Sequence, residues 1–261
     1  MLALLAVAWL TLALAPAQHP SAPPAGRAAQ SPTQTNLRLL RWLADHGSAP
    51  AAYGLGVAYD RGQGVARNYK RAAHWYRIAA KRGLAKAQLS LAVMYQFGQG
   101  VPRSNAQAAV WYRRAAAQGL PEAEASLAAL YASGEGVRKD LAAAAHWYRR
   151  AAQQGSADAQ LNLAELEMGP PPGRDYRDAA HWLRPLARGG NPLAQRWLGD
   201  LYAAGLGVTA SPQRAYMWYW LARRHSRTAA QRARRLERRL SPEQRRAARR
   251  QGRAILARGR H

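Results

Sequence analysis

Apolar positions return along this chain at a fixed interval. Trp75, Trp111, Trp147, Trp182 and Trp218 stand 36, 36, 35 and 36 residues apart. Ala51, Ala87, Ala123, Ala159 and Ala194 keep the same register. Four residues after each comes leucine, at 55, 91, 127, 163 and 198, followed by a small residue: Gly56, Ala92, Ala128, Ala164 or Gly199. Two further on are Ala58, Met94, Leu130, Leu166 and Leu201. Apolar positions at i, i+4 and i+7 trace one face of a helix.

A turn of the form Gly-x-Gly-Val follows at residues 62–65, 98–101, 134–137 and 205–208. Glycine adopts positive φ at little cost and suits a helix end. The valine is expected to fall back between helices. Three residues later stand Asn68, Ser104, Asp140, Asp175 and Ser211, all of them helix N-cap types. A second helix therefore starts there. It carries Ala72, Ala108, Ala144, Ala179 and Ala215, then the tryptophan, then an alanine pair such as Ala115-Ala116, and ends at Gly83, Gly119, Gly155 or Gly190. Small residues allow close helix approach, and the indole is expected to fill the space between layers.

The unit is an antiparallel helix pair. One pair cannot bury both faces, whereas stacked pairs share a continuous core. The predicted fold is an all-α solenoid. The Ala-x3-Leu-Ala columns, Tyr-x2-Gly-x-Gly-Val and Ala-Ala-x-Trp-Tyr-x2-Ala-Ala-x2-Gly resemble the Sel-one-like repeat, a relative of the tetratricopeptide repeat with a longer inter-helix turn. The resemblance is specific over about residues 48–225. It implies an adaptor or scaffold, often in bacterial envelope signalling or secretion.

Repeats are expected at about 48–83, 84–119, 120–155, 156–190 and 191–225, preceded by a half repeat at 36–47. Together they make a solenoid over 36–225. The fourth repeat departs from the template. Its turn reads Met168-Gly169-Pro170-Pro171-Pro172-Gly173, Glu167 replaces the tyrosine, Leu183 follows the tryptophan, and Pro185 falls inside the second helix. Proline there removes a backbone hydrogen bond, so an altered superhelical twist is expected.

The ends differ from the repeats. Leu2 to Ala15 is an uncharged run of fourteen residues, short for a membrane span of roughly 20. With Ala15-Pro16-Ala17 it reads as a signal peptide, residues 1–17, cut after Ala17. The n-region lacks Lys and Arg, so a retained anchor, a misassigned start or a cytoplasmic protein are the alternatives. Residues 18–35 are rich in Pro, Ala, Ser and Gln and read as a disordered linker. Residues 226–261 form an Arg-rich helical tail. Arg232 to Leu240 suits one helix, and Ser241-Pro242-Glu243-Gln244 opens another with Ala247, Ala248, Ile255 and Leu256 as its apolar stripe. This tail reads as a cap on the last repeat or as a basic arm.

Charge sharpens the second option. The net charge is +25, which favours anionic partners. An Ala- and Arg-rich composition is also what a GC-rich genome produces. The arginines that would meet an anion are Arg234, Arg235, Arg238, Arg239, Arg245, Arg246, Arg249 and Arg250. Nucleic-acid readers add a recognition module or stacking aromatics, and the chain after Trp220 has no aromatic ring but histidine. An anionic envelope polymer or lipid headgroup is the better match.

Catalytic constellations are missing from the sequence. Absence of cysteine excludes disulfides, zinc–thiolate sites and a cysteine nucleophile. His74, His146 and His181 each precede a tryptophan in separate layers, too far apart for one metal. Glu122 and Glu124, and Glu165 and Glu167, are two apart and point to different sides of a helix. No cofactor and no small-molecule substrate are expected. A protein or peptide partner is. By analogy with tetratricopeptide repeats, whose first helices line the concave face, Gln88, Glu124, Gln160 and Gln195 are the candidate contacts, taken as polar positions outside the core.

Overall fold

A computed structural model describes residues 32–169 and 175–258. The signal-peptide reading of 1–17, most of the linker and the Pro170–Gly173 turn lie outside the described residues. Among the described residues there are thirteen helices and no strand, so the chain is an all-α solenoid. A lone helix, α1 (Pro32–Asp45), comes first. Five pairs follow: α2 (Ala49–Arg61) with α3 (Tyr69–Lys81), α4 (Ala85–Phe97) with α5 (Asn105–Ala117), and α6 (Pro121–Ser133) with α7 (Leu141–Gln153). The last two are α8 (Ala157–Met168) with α9 (Tyr176–Arg188), and α10 (Pro192–Ala204) with α11 (Pro212–Ala222). The tail supplies α12 (Arg227–Glu237) and α13 (Pro242–Arg258). Extensive packing runs between chain neighbours, except that α13 folds back onto α11.

Local chemistry sets these boundaries. Asn68, Ser104, Asp140, Asp175 and Ser211 each accept a backbone N–H from the first turn of their helix. First helices end at Gly62, Gly98, Gly134 and Gly205, all at positive φ near 71–80°. The second glycine of the turn has a different task. Gly100 packs against the start of α3, where a Cβ would lie 2.2 Å from the Tyr69 carbonyl oxygen. Gly136 meets Asn105 at the start of α5, and Gly207 meets Tyr176 at the start of α9, at 2.3 and 2.2 Å. This glycine sets how closely one repeat seats on the one before.

The alanine and leucine columns form the core. Ala87, Ala123, Ala159 and Ala194, and their partners Ala72, Ala108, Ala144, Ala179 and Ala215, are fully buried. Val101, Val137 and Val208 pack half-buried against the core. Trp75, Trp111 and Trp218 are buried, whereas Trp147 and Trp182, flanking the fourth repeat, are only half-buried. The apolar core changes there too. One cluster runs from Ala44 to Leu130, a small one spans Ala128 to Leu163, and a third runs from Ala164 to Ala248. Helix α8 ends at Gly169 with φ −77° rather than in the left-handed cap of its counterparts. Helix α9 continues through Pro185 to Arg188 without a break.

Two boundaries are corrected. Helix α1 starts at Pro32, inside the stretch read as linker. Proline suits the first turn of a helix, and packing on α2 supplies what composition lacks. Helix α12 starts at Arg227, not Arg232, because Ser226 caps it by accepting the Ala229 N–H. Ser241 and Gln244 form a reciprocal capping box before α13, with bonds of 3.2 and 2.9 Å. Ala248 and Gly252 lie at the buried contact, where a Cβ on Gly252 would reach Met217 at 3.2 Å. The tail therefore covers the last repeat.

Gly100→Ala and Gly119→Ala separate two costs. Both residues have positive φ, 69° and 81°, but only Gly100 faces a backbone atom, while nothing lies within 4 Å of Gly119. The first change should cost more than about 2 kcal/mol and the second about 1 kcal/mol, read by urea denaturation.

Candidate functional site

The four polar candidates do not line an open face. Gln88, Glu124 and Gln195 are 4, 0 and 2 % exposed, and Gln160 is half-buried. Their description as positions outside the core is thus corrected. The last carbonyls of a helix lack amide partners. Gln88 Nε2 donates to the Ala80 carbonyl at 3.1 Å, Gln160 to Ala152 at 3.2 Å, and Gln195 to Ala187 at 3.0 Å. Each side chain reaches back across the inter-repeat turn to cap the helix before it.

A second contact closes this spine from the far side. Gln118 Nε2 donates to Gln88 Oε1, and Gln154 Nε2 donates to Glu124 Oε2, both at 2.8 Å. In the first layer Arg82 donates directly to the Ala44 carbonyl at 2.9 Å, so α1 sits as the second helix of a preceding unit would. Glu124 replaces glutamine in the third repeat of this column, as Ala52 does in the first. Arg150 lies 2.9 Å from its carboxylate. Burial pushes the Glu124 pKa up, opposed by Arg150 and by the Gln154 bond.

The tail arginines divide into two groups. Arg249 donates to Glu237 at 2.6 Å and to the Tyr216 hydroxyl at 2.9 Å, pinning α13 to α12 and α11. Arg245 lies 3.9 Å from the same carboxylate. Arg234, Arg235, Arg238, Arg239, Arg246 and Arg250 are exposed, and none forms an ion pair among the described residues. Asp200 accepts from Tyr219 at 2.6 Å and from Arg232, which further ties α12 to the last repeat.

One surface feature escaped the sequence reading. Two residues after the tryptophan stands Arg77, Arg113, Arg149 or Arg184. Arg77 donates to the Tyr95 hydroxyl at 3.2 Å, and Arg113 to Tyr131 at 2.8 Å, in each case eighteen residues on in the next repeat. Arg149 meets Glu167 and Asp178 instead, at 2.6 and 2.8 Å. The signal was legible: an arginine column at fixed offset from tryptophan, eighteen residues before the tyrosine of the turn motif. Beside the second rung opens a groove of about 800 Å³, lined by Arg113, Tyr131, Val137, Arg138, Lys139 and Asp140. His74, His146 and His181 are exposed and meet their tryptophans edge-on, with ring centroids 5.3, 5.3 and 5.1 Å apart.

Stacked helix pairs capped at both ends, with their shared polar groups turned inward and a charged ladder outside, define an α-solenoid of repeated scaffold units. Sel1 repeats match residues 49–84, 85–120, 121–156, 157–191 and 192–224, and the chain belongs to the Sel1 repeat family. Such repeats generally form non-enzymatic scaffolds that mediate protein–protein interaction. Among solved structures the chain is similar to a protective antigen of uropathogenic Escherichia coli displaying an SLR fold. That match has 35 % identity and a TM-score of 0.65, covering 72 % of this chain and 40 % of that one. It is also similar to a Sel1 repeat protein from Oxalobacter formigenes, with 30 % identity and a TM-score of 0.63, over 74 % of this chain and 85 % of the other. No curated protein matches it.

Two substitutions test the buried spine. Gln88→Ala removes one of the bonds to the Ala80 carbonyl, which keeps the Gly83 N–H, and leaves the Gln118 amide without its Gln88 partner, so it should lower stability by about 1–2 kcal/mol in denaturant titration. Glu124 holds its proton more tightly in the folded chain than in the unfolded one. Its linkage therefore lowers stability as pH rises from the ordinary carboxylate range through the raised value. Glu124→Gln should flatten that decline, leaving the part due to Glu167, whose pKa burial also raises.

Proposed function

We propose that this chain is a non-enzymatic adaptor of the bacterial cell envelope that binds a protein or peptide along its solenoid. The observation carrying this reading is the repeated outer ladder. Arg77, Arg113 and Arg149 recur in register on successive repeats, while the polar first-helix column is consumed by capping. A partner met at equivalent points on successive layers would gain affinity by summing modest contacts. The Leu2–Ala15 run with Ala15-Pro16-Ala17 supports export, as does similarity to a protective antigen. No helix among the described residues is long and apolar enough to cross a membrane.

A second reading rests on the six exposed tail arginines. They would attract an anionic envelope polymer or lipid headgroup, with nucleic acid disfavoured by the absence of stacking aromatics other than histidine after Trp220.

Crosslinking in intact cells, followed by purification of the full chain, distinguishes these readings. The adaptor reading expects one envelope protein crosslinked to the repeats and a mature amino terminus at Gln18. A chain retaining Met1 in the cytosolic fraction would overturn the envelope assignment. Replacing Arg234, Arg235, Arg238 and Arg239 by Gln should leave the crosslink intact. If instead it abolishes retention on anionic vesicles, and vesicle binding falls steeply with salt, the tail is the binding element.

A further inference from the structure

The ladder of arginines carries its own model of a ligand. Its third rung is already occupied. Arg149 is held by the carboxylates of Glu167 and Asp178, at 2.6 and 2.8 Å. Glu167 stands where the other repeats place Tyr59, Tyr95, Tyr131 and Tyr202. The first two rungs have the same geometry with the carboxylate removed. Arg77 and Arg113 each use one N–H on a tyrosine hydroxyl, and a guanidinium has five. Neither forms an ion pair among the described residues.

The surroundings of these rungs are cationic. Arg138 and Lys139 line the groove beside Arg113, against one acid, Asp140. Asp140 accepts the Ala143 N–H at 2.9 Å as the cap of α7. At the first rung the matching turn residues are Arg103 and Ser104, so no acid stands at that cap. The groove beside Arg113 is open, and the arginine rungs recur on successive repeats, which suits an extended chain rather than an enclosed small molecule.

The geometry points to an acidic, extended protein segment as the partner, with carboxylates seated on Arg77 and Arg113 as Glu167 and Asp178 sit on Arg149. This inference rests on the adaptor reading and names its ligand class. Adjacent rungs lie roughly one helix diameter apart, about 10 Å. An extended chain rises about 3.3 Å per residue, so acids recurring every three to four residues would meet successive rungs. Carboxylate rather than phosphate is indicated because carboxylates are what the chain itself supplies at the third rung.

The test is fluorescence anisotropy on the full chain with a short fluorescein-labelled peptide of Glu-Thr-Ser repeats. The same peptide with Gln for Glu, and a single-stranded oligonucleotide of equal charge, serve as comparisons. The acidic peptide should bind and the amide peptide should not. Arg77→Gln with Arg113→Gln should weaken binding by at least about tenfold, the scale of one charge-assisted hydrogen bond. Arg246→Gln with Arg250→Gln removes equal charge from the tail and should leave affinity unchanged. Tyr131→Glu installs at the second rung the acid found at the third, so it should block the peptide while the circular dichroism spectrum and melting temperature show an intact fold. Equal losses from the ladder and tail variants would overturn the inference, as would a Tyr131→Glu chain that binds like the parent. An oligonucleotide held equally well through Arg77 and Arg113 would overturn the carboxylate assignment. An envelope protein crosslinked equally by parent and ladder variant would overturn this inference and leave the adaptor reading standing.

Discussion

Close approach of small side chains underlies this structure. Small residues fill the interior of the repeats, and Ala52, Ala72, Ala92, Ala108 and Ala128 are fully buried. An alanine face contributes little apolar area, so stability depends on how tightly the backbones pack. The bulk that fills the remaining space comes from a few large residues at fixed places. Tyr76 lies against Gly56, and Tyr219 against Gly199, where added Cβ atoms would fall 2.4 and 2.7 Å from the rings. In the second and third repeats Ala92 and Ala128 take that place.

Tight packing of short helices raises a second demand. Each repeat helix has only eleven to thirteen residues, so the polar groups left unpaired at its two ends are a large share of its backbone and are met by caps. Side-chain caps satisfy most N-termini, and glycine caps satisfy the first-helix C-termini. The C-termini of α3, α7 and α9 are met by the glutamine of the following repeat. Capping and inter-repeat cohesion are thus the same bond. Glu124 shows the tolerance of this arrangement, since a carboxylate occupies the glutamine place when Arg150 and Gln154 accompany it.

With the interior polar groups committed to caps and ion pairs, the polar chemistry left open to solvent is what projects outward. Arginine dominates there, and its guanidinium is shared between roles. It stacks on Trp111 and Trp147 through Arg114 and Arg150, with centroid distances of 4.5 and 5.0 Å. It reaches tyrosine hydroxyls at two rungs of the ladder and closes the tail through Arg249. The net charge of +25 is therefore partly structural in use, and the remainder stands exposed on the repeats and the tail.

Period, helix pairing and caps were readable from residue columns alone, because each depends on contacts within one repeat or with its chain neighbour. The Asn68, Ser104, Asp140, Asp175 and Ser211 column stated its own role, since an N-cap bond spans three residues. Gln88, Glu124 and Gln195 misled for the opposite reason. Polarity in a first helix marks either a surface or a buried partner, and only the position of Ala80, Ala187 or, for Glu124, Gln154 and Arg150 decides between them. In the tail, Ala248 was legible in the apolar stripe of α13, whereas arginine content concealed the buried Ala229 and Ala233 of α12, which packs on α11. Sequence determined the repeat and its local geometry; which polar groups face inward, and which arginines stay without a carboxylate, was decided by how the layers close on one another.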